Sequence, residues 1–114
     1  MDEISMMFPV LPGKREALVA FANTLMRERK AELDIAQGSV QVENWYLQPT
    51  PFGDFVVVHF VAPSVPAVFA ALAVDTGEFE TWYRAQILDI TGIDLANPPG
   101  ELPARIFQWR KADA

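Results

Sequence analysis

The sequence predicts a single α+β domain in which a four-stranded antiparallel sheet carries two helices on one face. Three observations lead to this prediction: a β-α-β-β-α-β order of segments, a strongly apolar strand near the middle of the chain, and 51% apolar side chains. At 114 residues, the chain is long enough to bury one core, so residues 1–114 are treated as one domain.

The apolar strand is Phe55–Val61, in which His59 is the only polar residue. Valine and aromatic residues favour extended chain because their side chains pack well on a pleated sheet. A strand with one face in water alternates apolar and polar residues, and this segment does not. We therefore expect it to lie at the centre of the sheet with both faces covered.

The chain before this strand predicts one strand and one long helix. Ile4–Val10 is predicted as the first strand, which should end near Pro9 because proline cannot donate a hydrogen bond to a neighbouring strand. Apolar residues recur at helical spacing from Leu18 onward, which predicts a helix from about Lys14 to Ile35. Gly38 suits the left-handed turn that follows a helix.

Val40–Gln48 predicts the second strand, and Pro49–Asp54 predicts a hairpin loop because it contains two prolines and a glycine. Successive side chains of a strand point to opposite faces of the sheet. The two predicted faces are Val40, Val42, Asn44 and Tyr46 on one side, and Gln41, Glu43, Trp45 and Leu47 on the other.

The register of this hairpin decides which side chains surround His59. If Gln48 pairs with Phe55, Asn44 lies opposite His59, and Tyr46 shares its face. A slip of one residue places Trp45 opposite His59 and exchanges the two faces of the strand. In the first register Asn44 and Tyr46 give His59 a polar pocket. In the second, Trp45 and Glu43 give it an aromatic pocket with an acid.

Two helical segments follow the central strand. Ser64 is a suitable N-cap for a short apolar helix over Val65–Val74, and Asp75–Gly77 breaks it. A second segment over Glu78–Thr91 has an apolar stripe, and Gly92 ends it. After a loop rich in proline and glycine over Ile93–Pro103, Ala104–Trp109 is predicted as the last strand.

Split βαβ connections of this kind give the ferredoxin-like arrangement, a four-stranded antiparallel sheet with both helices on one face. The other face of the sheet would then expose apolar and aromatic side chains. Since monomers rarely expose a contiguous apolar patch larger than a few hundred Å², we expect a homodimer in which the open faces of two sheets pair about a two-fold axis.

Several segments resemble the dimeric α+β barrel superfamily, in particular its uncharacterised small bacterial members. They are Pro12–Lys14 before the first helix, Glu43–Leu47 facing Gly53–Phe55 across the hairpin, and Gly92–Leu95 leading through Pro98–Gly100 to the last strand. The resemblance covers most of the chain and implies a homodimeric barrel. Because the superfamily includes cofactor-free monooxygenases, small isomerases and ligand-binding proteins, it leaves the activity open.

Composition disfavours several classes of partner and site. The net charge of −6 and the pI of about 4.6 disfavour nucleic acid and anionic membrane surfaces, which require clustered basic residues. With no cysteine and one histidine, we expect no metal site, and the sequence contains no dinucleotide or phosphate-loop motif. No cofactor is predicted.

The acidic N-terminus and the absence of a long apolar run lead us to expect a soluble, cytoplasmic protein.

The candidate site residues are polar and aromatic side chains near the central strand and on the last helical segment. His59 is the candidate catalytic residue because histidine titrates near neutral pH, although a histidine satisfied by one partner in the core is the simpler interpretation. The candidate ligand-binding residues are Asn44, Trp45, Tyr46, His59, Trp82, Tyr83 and Arg84. Core packing is the simpler role for Trp82 and Tyr83, and an exposed edge position is the simpler role for Arg105.

Three functions are consistent with these residues. The first is binding of a small apolar or aromatic ligand in a pocket of the barrel. The second is a cofactor-independent monooxygenase, isomerase or cyclase that uses His59 together with Asn44, Tyr46 or Tyr83. The third is a structural or interaction module with a filled barrel. We predict ligand binding first, because beyond His59 and the aromatic residues no side chain indicates a reaction.

Overall fold

The computed structural model describes residues 1–97 and 100–112, and within these ranges the chain forms three strands and four helices. The elements are β1 (Asp2–Val10), α1 (Arg15–Arg27), α2 (Lys30–Gln37), β2 (Val42–Thr50), β3 (Gly53–Ala62), α3 (Val65–Val74) and α4 (Glu78–Thr91). The strands form one antiparallel sheet in the order β1-β3-β2. The predicted α+β class and the central position of the apolar strand are confirmed.

Only one face of β3 is covered within a single chain. Val56, Val58, Phe60 and Ala62 point toward the helices and are buried. The alternating residues on the other face, including Val57 and His59, are only partly buried. The expectation that both faces are covered is therefore not met by one chain alone.

The predicted fourth strand over residues 104–109 is not formed in the described chain. Residues 101–112 lie outside helices and strands, so the outer edge of β1 has no neighbouring strand among the described residues. A strand needs a hydrogen-bonding partner and a surface against which to bury its apolar side chains. In this segment Ile106 is 97% exposed and Phe107 81% exposed, so no such surface covers them here.

The long helix predicted over Lys14–Ile35 is divided into α1 and α2, so this prediction was wrong in its continuity. The backbone N–H groups of Glu28 and Arg29 both donate to the carbonyl of Thr24, at 2.9 and 3.0 Å, and this ends the regular helical pattern. The break directs the Arg29 side chain toward α4, where its guanidinium carbon lies 4.3 Å from the ring centroid of Trp82. No proline or glycine marks this point, so the sequence contains no local signal that the helix is interrupted here.

Other predicted boundaries are confirmed by local hydrogen bonds. The Ser64 hydroxyl accepts a hydrogen bond from the Ala67 N–H at 3.2 Å, as an N-cap of α3 should. Gly92 ends α4 at a φ of 77°, in the left-handed region that favours glycine. The hairpin is tighter than predicted, since β2 extends to Thr50 and β3 begins at Gly53.

The core lies between the sheet and the helices, and contacts between aromatic side chains link its elements. Phe21 of α1 is buried, and its ring centroid lies 5.7 Å from that of Trp45, 5.3 Å from that of Trp82 and 5.5 Å from that of Tyr83. This packing holds α1 and α4 against β2. None of the helices in residues 1–97 and 100–112 combines the length and hydrophobicity required to cross a membrane.

Candidate ligand cavity between the helices and the sheet

The hairpin adopts the register in which Gln48 pairs with Phe55 and Asn44 lies opposite His59. This is the first of the two registers that the sequence left open. It places Asn44 and His59 on the open face of the sheet. Because neighbouring residues of a strand point to opposite faces, Trp45 is directed to the helical side instead. The predicted site residues are therefore divided between the two faces of the sheet.

A cavity of about 410 Å³ lies between the sheet and the helices. Ligand pockets in proteins usually measure about 300–1,000 Å³, so this space can hold a small organic molecule. The sheet and all four helices contribute to its walls, which are mainly aliphatic and aromatic. The sheet contributes the apolar residues Met6, Phe8, Val56, Val58 and Phe60, and α3 contributes Ala67, Val68, Phe69, Ala71 and Leu72.

The mouth of the cavity lies between the end of α2 and the outer side of α3. Ile35 and Ser39 line the cavity on one side and Ala67 and Ala71 on the other, and all four are exposed to solvent. Ile35 is 82% exposed even though it borders this space. Exposed residues that line a cavity mark the place where it meets solvent, so a ligand would enter between these two helices.

Glu43 places a carboxyl group in the lining of the cavity. Its Oε1 accepts a hydrogen bond from Gln37 Nε2 at 2.8 Å, and its Oε2 accepts one from Trp45 Nε1 at 2.6 Å. Burial raises the pKa of the Glu43 carboxyl because the charged form loses its hydration, and the two hydrogen bonds only partly oppose this rise. The cavity thus contains a carboxyl group that is held in place by two neutral donors.

Tyr83 of α4 lines the same cavity, and the Glu43 carboxyl affects the pKa of its hydroxyl. Burial raises the pKa of the Tyr83 hydroxyl well above its usual value, and the negative charge of Glu43 raises it further. Among the described residues no hydrogen bond involves this hydroxyl, and no buried side-chain polar atom lacks a partner, so the hydroxyl oxygen is accessible from the cavity. A ligand in the cavity could therefore use it as a donor or an acceptor.

The sequence predicted Glu43 as a site residue only for the other register, beside His59, and it gave no indication of Gln37. A usable signal was present, because Glu43 is the acidic residue on the same face of β2 as Trp45. An acid that alternates with a core aromatic residue is placed toward the core. The contribution of Gln37 depends on the end of α2, which the prediction of one continuous helix had obscured.

Trp82 and Arg84, two of the predicted ligand-binding residues, support the structure around the cavity and do not line it. Trp82 packs against Phe21 and lies 5.7 Å from Phe79 between ring centroids. Arg84 Nη1 donates to the carbonyl oxygen of Leu72 at 2.6 Å and to that of Asp75 at 2.7 Å. This guanidinium thereby satisfies carbonyl groups at the end of α3, where a helix leaves them without partners.

His59 lies on the open face of the sheet, outside the cavity. Its Nδ1 is 3.2 Å from the hydroxyl oxygen of Ser5, and its Nε2 is 3.4 Å from Oε1 of Glu3. Ser5 is brought there by the register of β1, in which it pairs directly with His59. Tyr46, on the same open face, is 58% exposed. The sequence missed Ser5 and Glu3 because nothing in the β1 segment indicates its register against β3.

The segment after α4 runs beside the first residues of β1. Arg105 is exposed, and its Nη2 lies 3.4 Å from the carbonyl oxygen of Glu3. Arg110 lies 3.6 Å from the carboxylate of Glu3. The expected exposed position of Arg105 is therefore observed, although the segment that carries it is not a strand.

Comparisons of this chain with protein-family models, curated protein sequences and solved structures gave no match. Within residues 1–97 and 100–112, no group of three or more histidine, aspartate or glutamate side chains is placed to hold a metal ion.

Proposed function

We propose that this protein binds a small, largely apolar ligand in the cavity between its helices and its sheet. The observation that carries this proposal is an apolar cavity of about 410 Å³ whose lining includes a partly buried, hydrogen-bonded carboxyl. Binding sites for small molecules characteristically combine apolar walls with a few fixed polar groups. The walls would supply affinity, and Glu43 with Tyr83 would orient the ligand.

The apolar walls favour an aliphatic or aromatic ligand. Transfer of apolar surface from water into such a site is favourable by about 25 cal/mol per Å². A structural module with a filled barrel would leave no space of this size, because protein interiors are normally close-packed. This gives more support to a binding protein than to a structural module with a filled barrel.

The enzyme alternative with His59 as base receives less support from this cavity. His59 lies on the other face of the sheet, beside Ser5 and Glu3. A general base must reach the proton that it removes, directly or through one water molecule. His59 therefore has no role in the proposed binding site.

A titration with indole, a neutral aromatic probe, tests the proposal. The indole N–H signal of Trp45 in the protein's NMR spectrum is the reporter, because this group donates to Glu43 in the lining of the cavity. We expect saturable shifts of this signal. In Ala71→Trp a large side chain would occupy the cavity mouth and weaken binding by at least about 10-fold, equivalent to about 1.4 kcal/mol.

Ala70→Trp is the matched control, since Ala70 is exposed on the same helix but does not line the cavity. It should bind indole as the natural chain does. If Ala71→Trp retained full affinity for indole, the cavity would not be the site at which indole binds.

We also propose that the protein is a homodimer of the dimeric α+β barrel type, in which the open faces of two sheets pair. The support is the apolar character of that face, where Met7 is 61%, Tyr46 58% and Val42 40% exposed. The segment over residues 104–109 would then complete a four-stranded, ferredoxin-like sheet along the free edge of β1. Such pairing would cover Ile106 and Phe107.

A further inference from the structure

We infer that the cavity selects an organic cation, namely an amine with an apolar body whose ammonium group binds Glu43. This inference rests on the proposed binding function and names the chemical class of the ligand. Three features of the described cavity support it: the charge of its lining, the incomplete neutralisation of Glu43, and the aromatic side chains around that carboxyl.

The ionisable side chains that line the cavity, apart from Tyr83, are all acidic. They are Glu43, Asp75 and Glu80. In residues 1–97 and 100–112 no lysine, arginine or histidine lines this space, and the nearby Arg84 is bound to the carbonyl groups at the end of α3. These acidic groups would repel a carboxylate or phosphate ligand, whereas they would attract a cation.

Glu43 is held by neutral donors alone. Gln37 and Trp45 each supply one hydrogen bond, one to each carboxylate oxygen. A carboxylate can accept about four hydrogen bonds, so each oxygen of Glu43, a cavity-lining residue, can accept further donors. An ammonium group would supply further donors and also the positive charge that a buried carboxylate lacks here.

Two aromatic residues beside Glu43 add a second attraction for a cation. Trp45 and Tyr83 line the cavity together with the carboxyl, and the negative face of an aromatic ring attracts an ammonium group. The Tyr83 hydroxyl, which has no hydrogen bond among the described residues, can accept from the same group. The remaining apolar walls fit the hydrocarbon part of the ligand.

Three probes that differ only in their terminal group provide the test: phenethylamine, phenethyl alcohol and phenylacetate. At neutral pH they present an ammonium, a hydroxyl and a carboxylate on a similar phenyl body. We expect the amine to bind at least about 10-fold more tightly than the alcohol, since hydrogen bonds to charged groups are stronger than neutral ones. Phenylacetate should bind more weakly than the alcohol.

Glu43→Gln removes the charge while it keeps the size of the side chain. The preference for the amine over the alcohol should fall to about unity in this variant, and binding of the alcohol should persist, which also shows that the variant is folded. Glu16→Gln is the matched control, because it removes the same charge from an exposed position on α1 outside the cavity. It should keep the full preference.

The outcomes separate this inference from the binding function on which it rests. If the alcohol bound as tightly as the amine, or if the preference survived in Glu43→Gln, the inference would be overturned while ligand binding in the cavity stood. If neither indole nor any of the three probes bound, the proposed function and the inference would both fail.

Discussion

Glu43 carries an ionisable carboxyl in a partly buried position in the lining of the cavity. Its two hydrogen bonds fix its orientation, but they come from the uncharged groups of Gln37 and Trp45. Burial therefore dominates and raises its pKa. A group whose proton is held more tightly in the folded state makes stability depend on pH.

Glu43→Gln should change that pH dependence. Below the ordinary pKa of glutamate, Glu43 is protonated in both the folded and the unfolded chain, so the variant and the natural protein should be similarly stable. As the pH rises from that value through the raised pKa of the folded state, the unfolded chain loses the proton first and the natural protein loses stability. The advantage of the variant should grow over this window and then level off.

Thermal unfolding across this pH range measures the effect. The variant can keep both hydrogen bonds if the Gln37 amide reverses its orientation. Its Tyr83 should also show a lower pKa in an ultraviolet titration, because the charge of Glu43 is one cause of the present rise. A stability advantage that is the same at every pH would contradict this explanation.

At the scale of elements, the position of α3 in the cavity wall is fixed by hydrogen bonds at both of its ends. It is apolar almost throughout, so amphipathic packing does little to fix its orientation. Its start is held by the Ser64 cap and by a hydrogen bond of 3.0 Å from the Val65 N–H to Oδ2 of Asp2. Its end is held by Arg84, which binds the carbonyl groups of Leu72 and Asp75.

Ser64→Ala removes the side-chain acceptor at the start of α3. Loss of such a cap typically costs about 1 kcal/mol, and we expect a decrease of that size in the free energy of unfolding measured with urea. Ser64→Asp retains an acceptor and places a negative charge at the helix start, where it is favourable. Equal losses in both variants would show that the hydrogen bond to Ala67 is not the source of the stability.

At the scale of the whole molecule, the described residues of one chain leave two apolar surfaces without a covering layer. One is the open face of the sheet with Met7 and Tyr46, and the other is the exposed segment that carries Ile106 and Phe107. A two-fold dimer presents the same patch from both subunits, so a single substitution alters both sides of the interface.

Met7→Lys should therefore weaken the proposed dimer by at least about 10-fold, because it places two like charges into an apolar interface. Met26→Lys is the matched control, since Met26 is similarly exposed, at 58% against 61% for Met7, but lies on α1 away from the open face. Light scattering over a range of concentrations reports the mass of each variant. A natural chain that remained monomeric at micromolar concentration would contradict the dimer.

The sequence alone determined the type and order of most elements, because these depend on local chemistry. The apolar run of Phe55–Val61 predicted the central strand, Ser64 predicted the start of α3, and Gly92 predicted the end of α4. Alternation along β2 also separated its two faces correctly. Each of these features depends on side-chain periodicity or on backbone preferences that are expressed within a few residues.

The tertiary structure decided what depends on contacts between distant segments. The register of β2 against β3 directs Glu43 and Trp45 toward the helices and leaves His59 on the open face. The candidate site is therefore the cavity and does not include His59. The break before α2 brought Gln37 to Glu43, although no local signal marks it. Register and burial are set by packing over the whole sheet, and a one-residue shift exchanges every side chain between the faces.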